Sequence, residues 1–391
     1  DLDEKLNYSL AKQYGKNPDN PTEYEAWKHS HRPFHWFAEF YGIIHEHGGF
    51  DVMIGNPPYV EYSKVRKSYE LLFYDTLACG NLYAFVLERV FDLIIQKGRS
   101  GLIMPLSLVC TDRMNFARTL LHSCISWISC FDIRPSSLFE GVAQRLCIAL
   151  STRDSSSEAI YSAGYKRWLA EERQDLISQL TYVLNSQNRA ASAIAKIGYD
   201  IEQVVLVKID GASLKMYAVK TSAPIYVHRI VRYFVKALDF IPLYIDSKGK
   251  RGKSDDYKPF RFVEPEQGSI VALLNSSLFY WFWRLYSDGF HCGYGDVYRM
   301  PYREIQSHVA KRFYILQEQL MNQLKDTSIE KTISTKTGNI RYQEFSIKSA
   351  KFIIDEIDRI FAQHYGFTDE ELDFIINYDI KYRMGKKLKG N

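Results

Sequence analysis

The sequence predicts an α/β protein whose first part contains an open, doubly wound sheet. Strand and helix patterns alternate from about residue 50 to residue 150, which is the order that places a mostly parallel sheet between helices. After Gln187 the pattern changes to short β-rich segments with interleaved aromatic and basic residues. We therefore expect the sheet within residues 1–185, a mixed α+β domain over 186–301, and a helical C-terminal segment with a basic tail over 302–391.

The composition is that of an ordinary globular protein. Of the 391 residues 46% are hydrophobic and 25% are charged, and the net charge is +4. The six cysteines form no C-x-x-C pair and have no histidine at zinc spacing, so we expect neither a metal site nor a disulfide framework. No apolar run approaches the ~20 residues of a membrane helix, and no signal peptide is present, which favours a cytoplasmic protein.

The elements are predicted in chain order from hydrophobic periodicity and from end signals. Helices are expected at 22–31, 33–49, 82–96 and from Asp112 onward, and strands at 50–54, 101–106, 127–133 and 145–151. The polar run "STRDSSSEAIYS" (151–162) is expected to be a tight hairpin that joins the last two, antiparallel strands.

The first strand ends in an unusual turn, "FDVMIGNPPYVEY". Adjacent prolines remove two backbone donors, fix φ near −65° and restrict the residue before each, so Asn56 and Pro57 are held rigidly. We expect the Asn56 side-chain oxygen and the Pro57 carbonyl to project from the carboxyl end of the strand, where open α/β sheets bind their ligands. A bare proline pair is more often an ordinary turn. The chemistry of the neighbouring groups favours a functional one.

Two fixed acceptors and an aromatic ring suit one particular reaction. An exocyclic or amide nitrogen is planar, because its lone pair is delocalised, and is therefore a poor nucleophile. If the Asn56 oxygen and the Pro57 carbonyl each accept one N–H, the nitrogen is oriented and polarised without a strong base. Tyr59 is placed to stack on a base that has been rotated out of a duplex.

These residues resemble the catalytic Asn-Pro-Pro-Tyr motif of amino-group DNA methyltransferases, specifically the adenine methyltransferases of the type IIG restriction-modification family. Three later blocks, 80–109, 131–150 and 356–385, are similar to blocks of that family in the same order. The resemblance implies a Rossmann-like methyltransferase sheet, S-adenosylmethionine as methyl donor, and double-stranded DNA with a flipped target base as partner. It assigns catalysis to Asn56, Pro57, Pro58 and Tyr59, and base stacking to Tyr59 and Phe139.

In this family the region after the catalytic domain recognises the DNA target. The run Lys248 to Lys253 contains four basic residues and two glycines, the composition of a flexible loop that lies against phosphates. Isolated charge runs are usually solvated surface, but here the run follows a methyltransferase-like domain. The candidate DNA contacts are Arg229, Arg232, Lys250, Arg251, Lys253, Arg284, His291, Tyr298 and Arg299.

One departure from the family pattern concerns the cofactor. The glycine-rich turn and the acidic residue that bind S-adenosylmethionine normally precede Asn-Pro-Pro-Tyr, and neither occurs between Asp1 and Phe50. The Gly-x-Gly in "HCGYGDVY" (291–298) is rejected, because no helix is expected to follow it. We therefore expect only the second half of the sheet, with the cofactor-binding residues upstream of Asp1 in the same polypeptide.

Two other functions and one other base remain open. Protein-glutamine methyltransferases also resemble Asn-Pro-Pro-Tyr, although the long basic and aromatic region after Gln187 argues against them. The chain could instead be a DNA-binding specificity module without catalytic activity, which the missing cofactor turn favours. The exocyclic amine of cytosine would suit the same acceptors, and the family resemblance alone favours adenine.

Overall fold

The computed structural model describes residues 2–154, 157–186 and 193–385. It consists of two compact units, Asp1–Tyr199 (unit 1) and Asp200–Asn391 (unit 2). The finer division at residues 185/186 and 301/302 stays a prediction. The basic tail predicted after Gly385 lies outside the described residues.

Unit 1 is built on a mixed sheet, and the predicted α/β class is confirmed. In the described part of this unit, six strands are hydrogen-bonded in the order β1-β2-β4-β3-β5-β6. The strands are β1 Phe50–Gly55, β2 Ile94–Pro105, β3 Ile125–Phe131, β4 Leu146–Thr152, β5 Ala159–Lys166 and β6 Val183–Leu184.

The direction of the strands follows from the connections between them. β1 and β2 are parallel, β4 is antiparallel to both β2 and β3, and β3 is parallel to β5. β4 therefore returns from β3 and fills the space between β2 and β3. The predicted hairpin at 151–162 is wrong, because β3 lies between β4 and β5 and separates the two strands that the hairpin would have paired.

In the described part of unit 1, three α-helices precede the sheet and four lie between β1 and β3. They are α1 Leu2–Gln13, α2 Pro21–His31, α3 Trp36–Glu39, α4 Tyr62–Val65, α5 Leu82–Leu93, α6 Ser107–Cys110 and α7 Asn115–His122. Two differ from prediction. The expected helix 33–49 is reduced to α3 and a π-helical turn at Gly42–Glu46. α5 ends at Leu93, because Ile94 already pairs with Phe50 in the sheet.

The two faces of the sheet carry separate hydrophobic clusters. On one face, Leu102 and Met104 of β2 pack with buried side chains of α5 and α7. On the other face, a smaller cluster contains Phe131, Leu138, Leu146 and Trp168, and Tyr59 packs against it. The side chains of alternate β2 residues thus point to opposite faces of the sheet, as the two-residue period of a strand requires.

Unit 2 combines small sheets with helices. Its strands are β7 Ala212–Ser213, β8 Ile225–His228, β9 Ala237–Leu238, β10 Tyr244–Ile245, β11 Tyr257–Phe260, β12 Pro301–Tyr302, β13 Ile329–Thr335 and β14 Gly338–Glu344. Its helices are α8 Asp200–Lys208, α9 Glu266–Asn275, α10 Ser277–Tyr286, α11 Tyr294–Tyr298, α12 Ser307–Asp326, α13 Lys351–Tyr365, α14 Asp369–Asn377 and α15 Ile380–Met384. The antiparallel pair β13–β14 interrupts the C-terminal segment that was expected to be helical.

The centre of unit 2 is helical. Nearly all side chains of α10 are buried, including four aromatic residues in succession from Tyr280 to Trp283. The carboxylate of Asp358, from α13, accepts hydrogen bonds from the backbone nitrogens of Ser277 (3.2 Å) and Leu278 (3.1 Å), so it caps the first turn of α10. Burial raises the pKa of Asp358 to about 6 despite these bonds.

None of the helices in residues 2–154, 157–186 and 193–385 combines the length and the apolar composition that crossing a membrane requires.

Candidate functional site

The Asn-Pro-Pro-Tyr loop begins where β1 leaves the sheet. The last pair between β1 and β2 is Gly55 with Leu102. The next carbonyl of β2, that of Ile103, accepts a hydrogen bond of 3.0 Å from the Tyr59 hydroxyl. Backbone pairing between β1 and β2 thus ends at Gly55, and the hydrogen bond from the Tyr59 side chain attaches the loop to β2 beyond that point. The loop is held against the sheet at both of its ends.

The two predicted hydrogen-bond acceptors, Asn56 Oδ1 and the Pro57 carbonyl, differ in whether a donor of the protein already bonds to them. The side chain of Asn56 is exposed, and its Oδ1 accepts a hydrogen bond from the Tyr59 hydroxyl. Pro57 is buried, and no group in the described residues donates to its main-chain carbonyl. An incoming amine would therefore find one free acceptor, and one acceptor that a neighbouring hydroxyl holds in place.

The Tyr59 hydroxyl can satisfy only one of its two acceptors at a time. It carries one hydrogen, and both Asn56 Oδ1 and the Ile103 carbonyl lie within reach. Burial raises the pKa of Tyr59 to about 12, so at neutral pH the hydroxyl remains protonated and acts as a donor, not as a base. If it turns fully to Ile103, Asn56 Oδ1 becomes available to a substrate N–H.

An ion pair that the sequence did not indicate anchors the far side of the loop. Glu61 accepts hydrogen bonds from both terminal nitrogens of Arg113 (2.5 and 3.0 Å), and from Asn81 Nδ2 at 3.2 Å. The Arg113 guanidinium holds the pKa of the Glu61 carboxyl below its usual range. Backbone bonds from Tyr62 to Gly80 and from Leu82 to Val60 run alongside the pair. We call this arrangement the Glu61–Arg113 clamp.

An open, mostly apolar cleft of about 520 Å³ lies beside the loop. Asn56, Pro57 and Pro58 form part of its lining, together with side chains of β1, β2 and α5. The lining also contains Trp36, Tyr69, Tyr74 and Arg89, none of which was predicted as a site residue. Their separation along the chain carries no motif that could have revealed them.

The structure places Phe139 in a loop that approaches the same cluster as Tyr59. Phe139 is 37% exposed, and its neighbour Leu138 belongs to the cluster on which Tyr59 packs. Arg173 donates hydrogen bonds to the carbonyls of Ser137 (3.1 Å) and Leu138 and fixes this loop. The stacking roles of Tyr59 and Phe139 stay predictions.

The predicted DNA contacts in unit 2 fall on several loops, and the structure joins some of these loops. The backbone nitrogen of Val231 bonds to Phe290, and that of Cys292 bonds to Arg229, so the segments of Arg229 and His291 are adjacent. Arg229 also forms an ion pair of 2.7 Å with Asp256, which follows the basic run. The exposed basic candidates are Arg229, Arg232, Lys250, Arg251, Lys253 and His291.

The other candidates are less accessible, and one is wrong. Arg284 is completely buried in α10, with its Nε 3.3 Å from a carboxylate oxygen of Asp379, so it cannot reach DNA. Tyr298 and Arg299 are half-buried, and the ring of Tyr298 packs edge-on against Phe260. His291 forms an ion pair with Asp288 at 2.6 Å, which offsets its charge when it is protonated.

Residues 3–138 match the family model described as Eco57I restriction-modification methylase. This segment is similar to restriction-modification methylases. The predicted resemblance is confirmed at that level, and the matched segment, called the methylase segment below, contains the whole Asn-Pro-Pro-Tyr loop and the Glu61–Arg113 clamp. No curated protein matches the sequence significantly.

Several solved structures of restriction-modification enzymes also match. The type IIL enzyme MmeI, solved in complex with DNA, is 12% identical, with a TM-score of 0.46 over 85% of this chain and 57% of that chain. The type ISP enzyme LlaGI, a nuclease-deletion mutant in complex with a DNA substrate mimic, is 11% identical, with a TM-score of 0.38 over 73% and 43%. The type IIG endonuclease BpuSI is 12% identical, with a TM-score of 0.25 over 80% and 43%. The chain thus spans less than two thirds of each protein.

The methylase segment fits only part of an S-adenosylmethionine site. A complete site needs a carboxylate for the ribose hydroxyls and a tight turn that lets the backbone approach the methionine group. No aspartate or glutamate lines the cleft beside Asn56 within the described residues. The helix α11 begins within the Gly-x-Gly at Gly293 to Gly295, contrary to the expectation that no helix follows it, but this helix has five residues and lies in unit 2. The residues that are present therefore do not fit the whole cofactor.

A metal site is not found in the described residues either. Across the described ranges, no group of three or more His, Cys, Asp or Glu side chains is arranged to hold a metal ion.

Proposed function

We propose that this chain supplies the amine-binding loop and the DNA-recognition part of an S-adenosylmethionine-dependent methyltransferase that modifies adenine in a specific DNA sequence. The enzyme would belong to a restriction-modification system in the cytoplasm of a bacterium or archaeon. The observation that carries the proposal is the pair of acceptors, Asn56 Oδ1 and the Pro57 carbonyl, at the carboxyl end of β1 within the methylase segment.

The loop is suited to hold an exocyclic amine. One N–H would donate to the unoccupied Pro57 carbonyl, and the other would donate to Asn56 Oδ1 after the Tyr59 hydroxyl has turned to Ile103. Both acceptors are fixed before the substrate arrives, so little reorganisation is needed when charge develops on the nitrogen. Tyr59 stays protonated at neutral pH, which agrees with a mechanism that uses no strong base at this position.

The proposal includes an upstream part of the same polypeptide as the partner that completes the cofactor site. β1 is the edge of its sheet in the described residues, with Val52 58% and Ile54 81% exposed. A strand edge with exposed aliphatic side chains is a template for a further strand. Strands added beside β1 would bring their own carboxyl ends close to Asn56, where the missing carboxylate and glycine turn are needed.

The test is methyl transfer by the chain, alone and with its upstream extension, to unmethylated DNA. Labelled S-adenosylmethionine is supplied, and the modified nucleoside is identified by mass spectrometry. We expect N6-methyladenine from the extended protein. N4-methylcytosine would overturn the choice of base, and labelled glutamine in peptide substrates with none in DNA would overturn DNA as the substrate.

Substitution of the acceptor tests the assigned role. Asn56→Ala in the active form should abolish transfer and leave DNA affinity nearly unchanged, because the side chain lies in the amine-binding loop and not among the exposed cations. Asn377→Ala, which removes an exposed amide from α14, is the matched control and should behave as wild type. Substantial turnover by Asn56→Ala would refute the role.

A DNA-binding module without catalytic activity is the second candidate, and the cleft without a carboxylate favours it. A calorimetric titration of the extended protein with S-adenosylmethionine, together with the methyl-transfer assay, separates the two. Salt-dependent DNA binding, together with no cofactor binding and no methyl transfer by the extended protein, would establish the module.

A further inference from the structure

A small sheet in unit 2 carries a hairpin that contributes almost nothing to the core. The sheet has the order β10-β14-β13, so β13 is its outer strand. All seven residues of β13 are exposed, and the pair β13–β14 is in register from Ile329 with Glu344 to Thr335 with Gly338. A seven-residue pair with no buried face is not explained by packing. Its exposed side chains are therefore available to a partner.

A second turn lies directly beside the tip of this hairpin. β10 is antiparallel to β14, with Ile245 opposite Arg341, so the chain after β10 runs toward the β13–β14 turn. A Cβ atom on Gly338 would lie 2.7 Å from the carbonyl oxygen of Ser247, and the φ of Gly338 is +126°. Only glycine permits this approach. The two turns are therefore packed against each other as one feature, here called the paired tips (246–253 and 334–339).

The basic run in the paired tips is ordered, which differs from the flexible loop that its composition indicated. Asp246 Oδ1 accepts hydrogen bonds of 2.9 Å from the backbone nitrogens of both Lys248 and Lys250. Asp246 also donates its own N–H to the carbonyl of Lys250, and Ile245 forms a β-bridge with Arg251. The backbone that carries the cations is thus held in place before any partner binds, which lowers the entropy that binding must remove.

The charge of the paired tips is strongly positive. Five exposed cations meet there, against the single carboxylate of Asp246. Among the described residues none of the five takes part in an ion pair, although Lys253 lies 5.6 Å from the centre of the Tyr226 ring. These cations are Lys248, Lys250, Arg251, Lys253 and Lys336.

Farther down the hairpin, by contrast, the charges are neutralised. Lys331 pairs with Glu344 at 2.5 Å, and Arg341 pairs with Glu330 at 2.6 Å. Excess positive charge is therefore confined to the tip.

One face of the hairpin presents hydrogen-bonding side chains. Directly opposite residues of an antiparallel pair share a face, so Thr332 lies with Arg341, and Ser334 lies with Asn339. The Ser334 hydroxyl donates to Asn339 Oδ1 at 2.9 Å, which leaves the Asn339 amide hydrogens directed to other acceptors. Hydroxyl, amide and guanidinium groups are the side chains that read base edges.

We propose that the paired tips form a DNA-reading element whose hairpin enters the major groove, with Lys248, Lys250, Arg251 and Lys336 on phosphates and with Ser334 and Asn339 on base edges. The inference rests on the proposed function and adds the residues that read the site. A major groove about 12 Å wide admits a two-stranded ribbon. The charge at the tip is complementary to a polyanion, and the polar face supplies donors that a phosphate contact alone would not need.

The first arm of the test measures DNA affinity of the full chain as a function of salt. Each of Lys250→Ala and Lys336→Ala should lower the slope of log affinity against log salt by about 1, because each removes about one phosphate contact. Lys311→Ala removes an equally exposed lysine from α12 and should leave the slope unchanged.

The second arm measures sequence preference by selection from a randomised DNA pool. Asn339→Ala should weaken the preference at one or two positions by about 5- to 100-fold, and should leave the salt slope unchanged. Unchanged selection with Asn339→Ala, or unchanged slopes with both lysine variants, would overturn the inference.

The outcomes separate the inference from the proposed function. Wild-type DNA binding that the tip variants do not change would overturn the inference alone. A wild-type chain without DNA binding would overturn both. Tip variants that change the oligomeric state, measured by sedimentation, and do not change DNA binding would show that the exposed β13 edge pairs with a second copy, which also overturns the inference.

Discussion

Removal of Arg113 should loosen the Asn-Pro-Pro-Tyr loop without unfolding the protein. The guanidinium makes two hydrogen bonds to Glu61, and the two side chains are 45% and 37% exposed. Ion pairs with this exposure contribute about 0.5–1 kcal/mol. If the clamp holds the loop, Arg113→Ala should raise the population of the locally open state by about two- to fivefold.

Amide hydrogen exchange measures this opening directly, and it can be carried out on the chain without an upstream extension. The amide of Tyr62 bonds to Gly80 at 2.9 Å, and that of Leu82 bonds to Val60 at 3.0 Å, so both report on the segment that follows the Asn-Pro-Pro-Tyr loop. We expect both amides to exchange about two- to fivefold faster in Arg113→Ala. In the active form, turnover should fall while DNA affinity is retained, because Arg113 positions the loop and does not contact the base.

A matched control variant and a double-mutant cycle complete the experiment. Arg359→Ala breaks a surface pair with Glu356 in unit 2, with exposures of 50% and 52%, and should leave the amides of Tyr62 and Leu82 unchanged. Glu61→Gln and the double variant with Arg113→Ala should show coupling between the two residues. Unchanged exchange at both amides in Arg113→Ala would refute the clamp.

Three further outcomes are expected. Tyr59→Phe should lower turnover about two- to tenfold in steady-state assays, because the loop loses the hydrogen bond to the Ile103 carbonyl that attaches it to β2, and unchanged turnover would contradict this. Urea titrations should show the contribution of Asp358 to the free energy of unfolding falling by about 3 kcal/mol as the pH rises from 4 to 6, since the native state keeps its proton on Asp358 up to pH about 6. Asp358→Asn should remove this fall, and the exposed control Asp255→Asn should retain it. Arg284→Met should change unfolding but not the salt slope of DNA binding, and a lower slope would restore Arg284 as a contact.

Local chemistry made the Asn-Pro-Pro-Tyr loop predictable from sequence. Two adjacent prolines fix the backbone whatever surrounds them, so the position of Asn56 and Pro57 at the end of β1 followed from four residues. The Glu61–Arg113 clamp could not be predicted in the same way. Its partners are separated by 52 positions, and only the folded sheet brings them together.

The wrong prediction that Arg284 contacts DNA also has a physical cause. Arg284 was chosen because aromatic and basic residues alternate around it, but the run "SLFYWFWRLY" contains one charged residue among ten, and every side chain from Ser277 to Leu285 is buried. A buried arginine acts as an ion-pair partner. The scarcity of charge in this run was the signal that could have corrected the interpretation.

The hairpin β13–β14 was missed for the opposite reason. Strands are recognised in a sequence because one face is buried, which imposes an alternation of apolar and polar residues. β13 has no buried residue, so it has no such alternation. An element that is shaped entirely by its exposed surface leaves little periodic signal in its sequence.

The same exposure has a consequence for how this protein could change over generations. A substitution in a core strand must preserve volume and shape, and most such changes lower stability. Substitutions at Thr332, Ser334 or Asn339 face no such constraint, because these side chains fill no interior space. The hairpin can therefore accumulate variation while the rest of unit 2 stays constant, and libraries randomised at these three positions should yield mostly folded proteins.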